Sequence, residues 1–405
     1  MWTDASEHYP EFNRSRSTDF YMEILTDMNV LYDSYKLAMK GSAWKAGPQR
    51  FERDYLEEIV KLKKELESGN YKPSPASEFT LNERGHVRHI HGGAMRDRVV
   101  EHALCDRVIN PAIEPYLIYN NGASQKGKGV SFTRDQFARD LHNYYLEYGD
   151  NKGWVGLVDF SKFYDNIRHD KAREMIRPLI DDFSYQVFST ILDTFMVDVS
   201  YMDDDEYASC MDRKFNSIDY YDNITREMRT GEKFMAKSLN IGNQISQSIG
   251  IFYPTAIDNY ATVVKGFRRY HRYMDDIAMI HKDRDYIRET IDEMRLEAKK
   301  LGLFINDRKT RIVRMSDTFV FLQRKYFVTE TGKVVIRITP RAVTRERRKI
   351  KAYKRILDRG VIEYSDAEQA VRSWMGANVK HMSKKQIQNM KELYKEQFGK
   401  ELRWK

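Results

Sequence analysis

Apolar residues recur along this chain at intervals that separate helix from strand. Over residues 51–68, Phe51, Tyr55, Ile59 and Leu62 fall at helical spacing, and the following "GNYKPSP" stops the helix. Residues 97–115 repeat the amphipathic pattern through Val99, Ala103, Val108 and Ile109, with proline expected to end it. Between these segments "SEFTLNERGHVRHIHG" alternates about a polar "NERG" turn, which predicts a β-hairpin. The short apolar run "WVGLVDF" at 154–160, bounded by "DNKG", predicts a buried strand that ends at Asp159. At 270–280, "YHRYMDDIAMI" has two short apolar runs with adjacent acids between them, as in a strand-turn-strand. Residues 285–305 predict a helix with Ile287, Ile291 and Met294 on one face, closed by Gly302 and followed by a strand. A further strand is predicted from "TFVFLQRKYFV", with a turn at "TETGK". The basic run from 339 to 360, with Tyr353 and Ile356 among its cations, predicts a helix.

Composition adds scale. At 405 residues, 41% of them hydrophobic and 32% charged, with 26 Tyr and 20 Phe, the chain is a folded, aromatic-rich protein with room for two or three lobes. A formal charge of +8, from 68 Lys and Arg against 60 acidic residues, suits basic surfaces beside separate acidic clusters, as on a nucleic-acid enzyme. Charge alone leaves a generic basic protein open. Cys105 and Cys210 are too few for a disulfide framework and lack C-x-x-C spacing, so a reducing interior is expected. The opening "MWTDASEHYPEFNRSRS" has acids and no apolar signal-peptide core, and no long apolar window occurs. A cytoplasmic protein with no membrane association is expected.

The tetrapeptide YMDD occurs at 201–204 and again at 273–276. The first copy runs on into Asp205 and Glu206 with little apolar support, which predicts a solvated acidic loop at Asp203 and Asp204. The second is followed by Ile277, Ala278, Met279 and Ile280, the bracing that a tight hairpin rising from a core requires. Two-metal phosphoryl transfer needs carboxylates that converge from separate segments, because each Mg²⁺ takes oxygen ligands. Asp159, at the end of a predicted buried strand, is the natural third ligand beside Asp275 and Asp276. Alone, it would read as a strand-end cap.

The order "VDFSKFYDNI", "IGNQISQ", "RYMDDIAMI" and "LGLFINDRKTRIV" closely resembles motifs A, B, C and D of reverse transcriptases. Upstream, "GHVRHIHGGAMRDRVVEHAL" resembles the fingers motif of the group II intron-like branch, and "FVFLQRKYF" stands at the primer-grip position. The resemblance covers roughly residues 50–380 and implies an α+β right-hand polymerase fold, with fingers, a palm of antiparallel sheet and helices, and a helical thumb. The lobes are expected at 1–150 for an N-terminal extension and fingers, 151–335 for the palm with an inserted acidic loop near 200–235, and 336–405 for a basic thumb. It implies Asp159, Asp275 and Asp276 as catalytic aspartates holding two Mg²⁺, with Mn²⁺ as a substitute and the Phe160 carbonyl as a further ligand. Tyr164 matches the steric gate against a ribonucleotide 2′-hydroxyl. Arg88, Arg98 and Gly242 are expected at the incoming nucleotide. Lys309 of "DRKT" matches a candidate proton donor to pyrophosphate. Lys126 and Lys128 are expected on backbone or template, and Arg345, Arg347, Arg348, Lys349 and Lys351 on the duplex phosphates.

Motif B departs from the common Q-G-x-x-x-S-P form: Ile241 replaces the first Gln and Gln247 the Pro, around Gly242 and Asn243. This I-G-x-x-x-S-Q form, with "VRSWMGANVKH" near the end, resembles the reverse transcriptases of diversity-generating retroelements. That family copies a template-repeat RNA into cDNA with errors at adenines, alongside a small basic accessory protein, in bacteria and their phages. Ile241, Asn243 and Gln247 are therefore the fidelity and template candidates. Replacing an amide by an alkyl group near the new base pair removes hydrogen-bond discrimination. Template RNA, RNA–DNA hybrid and dNTPs are the implied partners. Two other readings remain open from sequence: an antiphage-defence reverse transcriptase copying a structured noncoding RNA, and, more remotely, a non-catalytic RNA-binding protein.

Overall fold

The computed structural model describes residues 18–83, 86–217, 220 and 223–404. Its strands, in chain order, are β1 (Ser77–Glu83), β2 (His86–Gly92), β3 (Trp154–Asp159), β4 (Val197–Asp198), β5 (Phe234–Met235), β6 (Tyr270–Tyr273), β7 (Asp276–His281), β8 (Arg311–Arg314), β9 (Phe319–Phe321), β10 (Arg324–Val328) and β11 (Val334–Ile338). One sheet has the order β6-β7-β3-β8, another β11-β10-β9, and β1-β2 and β4-β5 form two-stranded ladders. The registered pairs are antiparallel. With the many helices between them, this is a mixed α+β fold consistent with a polymerase domain. The described backbone packs as two compact units, one of residues 18–129, 158–277 and 289–310, the other of 130–157, 278–288 and 311–404.

In the first unit, helices Met28–Met39, Tyr55–Glu67 and Met95–Leu104 bury Leu31, Tyr35, Ala38, Ile59, Leu62, Val99 and Ala103. The predicted core face at 51–68 is thus correct, but the helix is two: Ala46–Arg53 and Tyr55–Glu67 meet at Asp54. Pro111 does not end the next helix. A π-turn over Cys105–Ile109, with Asn110 N–H reaching back to the Cys105 carbonyl, offsets the hydrogen-bond ladder, and helical chain continues through Asn110–Ile113. The β1–β2 hairpin has the expected pairing, with Glu78 opposite His91 and Leu81 opposite Arg88. Residues 84 and 85 of its predicted turn lie outside the described residues.

The predicted acidic loop at the first YMDD is a helix, Asp204–Asp212. Asp203 is its N-cap, accepting from the Glu206 N–H at 2.7 Å, so the acids stand where the helix dipole favours negative charge. Nor is this segment without apolar support: Val197, Val199, Met202, Phe215, Tyr220 and Met235 form a satellite core.

In the second unit, β3 pairs with β8 and the predicted strand 318–328 is a tight hairpin instead. Leu322 and Gln323 both take positive φ, +44° and +64°, the backbone of a type I′ two-residue turn. Phe137 packs with Phe319, Phe321 and Tyr326 beneath it. The basic run is the helix Pro340–Asp358, capped by Thr339, and it shares a core with Tyr364–Asn378 and Lys384–Phe398 through Val343, Ile350, Val371, Met375 and Tyr394.

Candidate active site

Asp159 closes β3, while Asp275 and Asp276 lie where β6 turns into β7, the neighbour of β3 in the sheet. The turn is tight because Met274 takes φ of +53°. That left-handed conformation costs a non-glycine residue about 1–2 kcal/mol, so the surroundings must enforce it. Behind it Arg272, fully buried, pairs with Asp258 at 2.7 Å and donates to the Ile251 carbonyl at 2.6 Å and the Met274 carbonyl at 3.3 Å. Tyr270 donates to the same Asp258 at 2.9 Å. A buried charge pair is tolerated only when its remaining donors and acceptors are met, and here they hold the turn that carries Asp275 in place. Burial nonetheless pushes Asp258 above the ordinary carboxylate range.

Asp275 and Asp276 feel the charge of neighbouring carboxylates. Burial, then the charge of Asp159, raises Asp275, and burial followed by Asp275 and Asp159 pushes Asp276 up to about 7. Carboxylates in this condition lack positive charge. Lys309 supplies one cation, its Nζ 3.0 Å from Asp159. Asn306 donates to Asp159 Oδ1 at 3.3 Å, and its N–H to the Asp159 carbonyl at 2.8 Å. Phe160, its ring buried, bridges to Ile305. The segment that carries Lys309 is therefore laced to the end of β3.

Tyr164 begins a short 3₁₀ turn, with its hydroxyl 3.7 Å from Met274 Sδ. Gly250 leaves the space for its ring: a Cβ there would stand 3.1 Å from the Tyr164 hydroxyl. Burial, then Asp275, pushes that hydroxyl's pKa up to about 12. The positive charge of Arg88, exposed on β2, acts in a minor way to lower the pKa of both Tyr164 and Asp275. Arg98 is otherwise engaged. It donates to the Ala38 carbonyl at 2.6 Å and to Ser42 Oγ at 3.2 Å, anchoring its helix to the N-terminal helices.

Ile241, half-buried, Gly242, exposed with φ of +108°, and Asn243, buried, lead into the helix Gln244–Phe252. Asn243 does not cap that helix with its side chain. Glu101 does, accepting the Gln244 N–H at 2.9 Å and the Ile245 N–H, while near-complete burial pushes its pKa up to about 7. Gln247 accepts from Ser124 Oγ at 3.1 Å, tying the helix to the loop 121–128. In that loop Lys126 is exposed, whereas Lys128 donates to the Tyr119 carbonyl and Gln125 Oε1, both at 3.0 Å, and so braces the loop itself. In the second unit Arg347, Arg348, Lys349 and Lys351 are exposed and Arg345 is half-buried, on a helix whose Val343, Glu346 and Ile350 are buried.

Sequence reasoning missed Glu101, Asp258, Arg272, Gly250 and Asn306. An arginine inside a predicted buried strand and a glutamate inside an apolar helix were detectable signals for Arg272 and Glu101. Asp258 and Gly250 carry no linear mark, because their partners are distant in the chain.

Carboxylates converging from separate segments, with Asp275 and Asp276 held above the ordinary carboxylate range by burial and neighbouring charge, form a centre suited to divalent cations and phosphoryl transfer. The family comparison agrees with that chemistry. The chain belongs to the reverse transcriptase (RNA-dependent DNA polymerase) family, whose model matches residues 82–326. It is thus an RNA-directed DNA polymerase, which acts on template RNA and nucleotides, and the family typically uses divalent metal ions. No curated protein matches it. No helix among the described residues is long and apolar enough to cross a membrane.

Proposed function

We propose that this reverse transcriptase copies a template-repeat RNA into error-bearing cDNA, with Asp159, Asp275 and Asp276 holding two Mg²⁺ and the Phe160 carbonyl as a further ligand. The ions would neutralise charge on the transferring phosphoryl group. The site's own chemistry fits them, since burial and then neighbouring carboxylates raise Asp275 and Asp276, and Lys309 bridges to Asp159. Lys309, relieved of Asp159 by a metal, is placed to give a proton to the leaving pyrophosphate. Tyr164 is the gate against the 2′-hydroxyl, set by Gly250, and Arg88 is the cation positioned for the triphosphate.

The observation that carries the diversification reading is the "IGNQISQ" segment. With Ile241 in place of an amide, base-pair selection at this helix loses a hydrogen-bonding group. Gln247, in place of a rigid proline, accepts from Ser124, whose own φ is +46°. The exposed basic helix face at 347–351 supports a duplex-holding role through phosphates. The test is deep sequencing of cDNA made on the flanking native RNA, with any small basic accessory protein included. Errors concentrated opposite template adenine, and reduced in Ile241→Gln, support the reading. Uniformly accurate copying would overturn it and favour a defence enzyme that copies a noncoding RNA.

A further inference from the structure

The β1–β2 hairpin holds a second cluster of metal-ligating side chains. His89 and His91 are two residues apart on β2 and so project from the same face, and Glu78 stands directly opposite His91 on β1. Glu78 Oε1 is 3.6 Å from His91 Nδ1 and Oε2 is 3.8 Å from His89 Nε2. One ligand atom from each residue can be chosen so that all three lie within 4.8 Å of one another. The imidazole rings meet edge to face at 4.7 Å between centroids. Both histidines are largely buried, while Glu78 is 38% exposed, which leaves a path for an ion.

We propose that Glu78, His89 and His91 bind one borderline-soft divalent transition metal, best satisfied by Zn²⁺, separate from the carboxylate centre. The donor set decides the metal class. Two imidazoles and a carboxylate are a common Zn²⁺ set, whereas Mg²⁺ requires oxygen ligands. Two ligands at ~2.1 Å from a tetrahedral ion lie about 3.4 Å apart; the histidines stand 3.6 and 3.8 Å from separate oxygens of Glu78, and with one ligand atom per residue all within 4.8 Å, side-chain adjustment of about 1 Å closes the set on loading. Burial, then His89, lowers His91 to about 4, and a neutral imidazole is the form a metal accepts. A water or an external ligand completes the coordination.

Arg229 also faces this cluster, with Nη1 3.5 Å from Glu78 Oε2 and its guanidinium over the Tyr220 ring at 5.6 Å. It is the cation that an incoming metal displaces from Glu78. Loading therefore exchanges an ion pair to Arg229 for a staple across β1 and β2, the hairpin that carries Arg88.

The test uses the full chain, stripped with EDTA, dialysed, and titrated with Zn²⁺ or Co²⁺ in millimolar Mg²⁺. One equivalent is expected to bind, with visible d–d bands for Co²⁺. His89→Ala and His91→Ala should each weaken binding by roughly 100-fold or more, given that even residues behind a ligand are worth 10–100-fold. Asp275→Asn with Asp276→Asn should leave binding unchanged. Arg229→Gln, which keeps all three ligands, should tighten it severalfold, and this holds the proposal to account even if a histidine variant fails to fold. Absence of a stoichiometric site in the parent, binding lost with the aspartates, or an Arg229→Gln affinity no tighter than the parent's would overturn it.

Discussion

Replacing Asp276 by Asn should stabilise the metal-free protein at alkaline pH and do little in acid. Asp276 is pushed from an ordinary value of 3.8 up to about 7, first by burial and then by Asp275 and Asp159. Between those two values the folded protein keeps a proton that the unfolded chain releases, so stability falls as pH rises through that window. The contribution is fully present below about pH 4 and lost above about 7. A shift of roughly three units corresponds to an upper bound of about 4 kcal/mol at 1.36 kcal/mol per unit. Lys309 and the residual solvent at the site reduce this, and a gain on the order of 2 kcal/mol is expected at pH 8 for Asp276→Asn. The assay is urea unfolding in EDTA at pH 4.5, 6 and 8, with a parallel series in Mg²⁺. Parent and variant should coincide at pH 4.5 and diverge by pH 8, and Mg²⁺ should stabilise the parent much more than the variant. Equal stabilities at pH 8, or a gain that persists unchanged at pH 4.5, would refute the crowding of these carboxylates.

Other outcomes follow from the same site. Tyr164→Val should raise the efficiency of ribonucleotide over deoxyribonucleotide incorporation, and Gly250→Ala, whose Cβ would stand 3.1 Å from the Tyr164 hydroxyl and 3.4 Å from its ring, should shift that ratio while leaving Tyr164 in place. Steady-state incorporation with matched rNTP and dNTP pairs reads both. Arg272→Met should cost about 3–5 kcal/mol by leaving Asp258 buried and unpaired; adding Asp258→Leu should recover stability without recovering kcat, because the Met274 carbonyl still lacks its donor. Neutralising Arg347, Arg348, Lys349 and Lys351 should flatten the salt dependence of template-primer binding, each lost phosphate contact lowering the slope by about 0.9 for B-form DNA. Equal slopes for variant and parent would return this face to simple solvation.

The parts of the fold legible in the sequence are those whose information is local. The β3 run from Trp154 to Asp159 is apolar on both faces and bounded by polar turns, so its strand and its terminal acid were readable. The hairpin at 270–281 was readable for the same reason, and the buried positions Ile287, Ile291 and Met294 follow from helical spacing. Errors came where local signals compete with long-range partners. The first YMDD reads as a repelling acid run, yet Asp203 caps a helix and Asp204 pairs with Lys233 at 2.6 Å, 29 residues away. The π-turn that carries a helix through Pro111, and the positive φ of Leu322 and Gln323, have no glycine to announce them. Within the site, the aspartates were evident from their motif, but the post formed by Arg272 and Asp258, the trans cap from Glu101 and the engagement of Arg98 with Ala38 and Ser42 depend on tertiary contacts alone.

The central claim is that the second YMDD, with Asp159, performs nucleotide transfer while the first is a helix cap. Primer extension on an RNA template with dNTPs and Mg²⁺ tests it most directly, comparing Asp275→Ala with Asp276→Ala against Asp203→Ala with Asp204→Ala in protein verified as folded. The account predicts no extension from the first double variant and near-parental extension from the second. Extension that survives loss of Asp275 and Asp276, or that disappears with Asp203 and Asp204 in a folded chain, would contradict it.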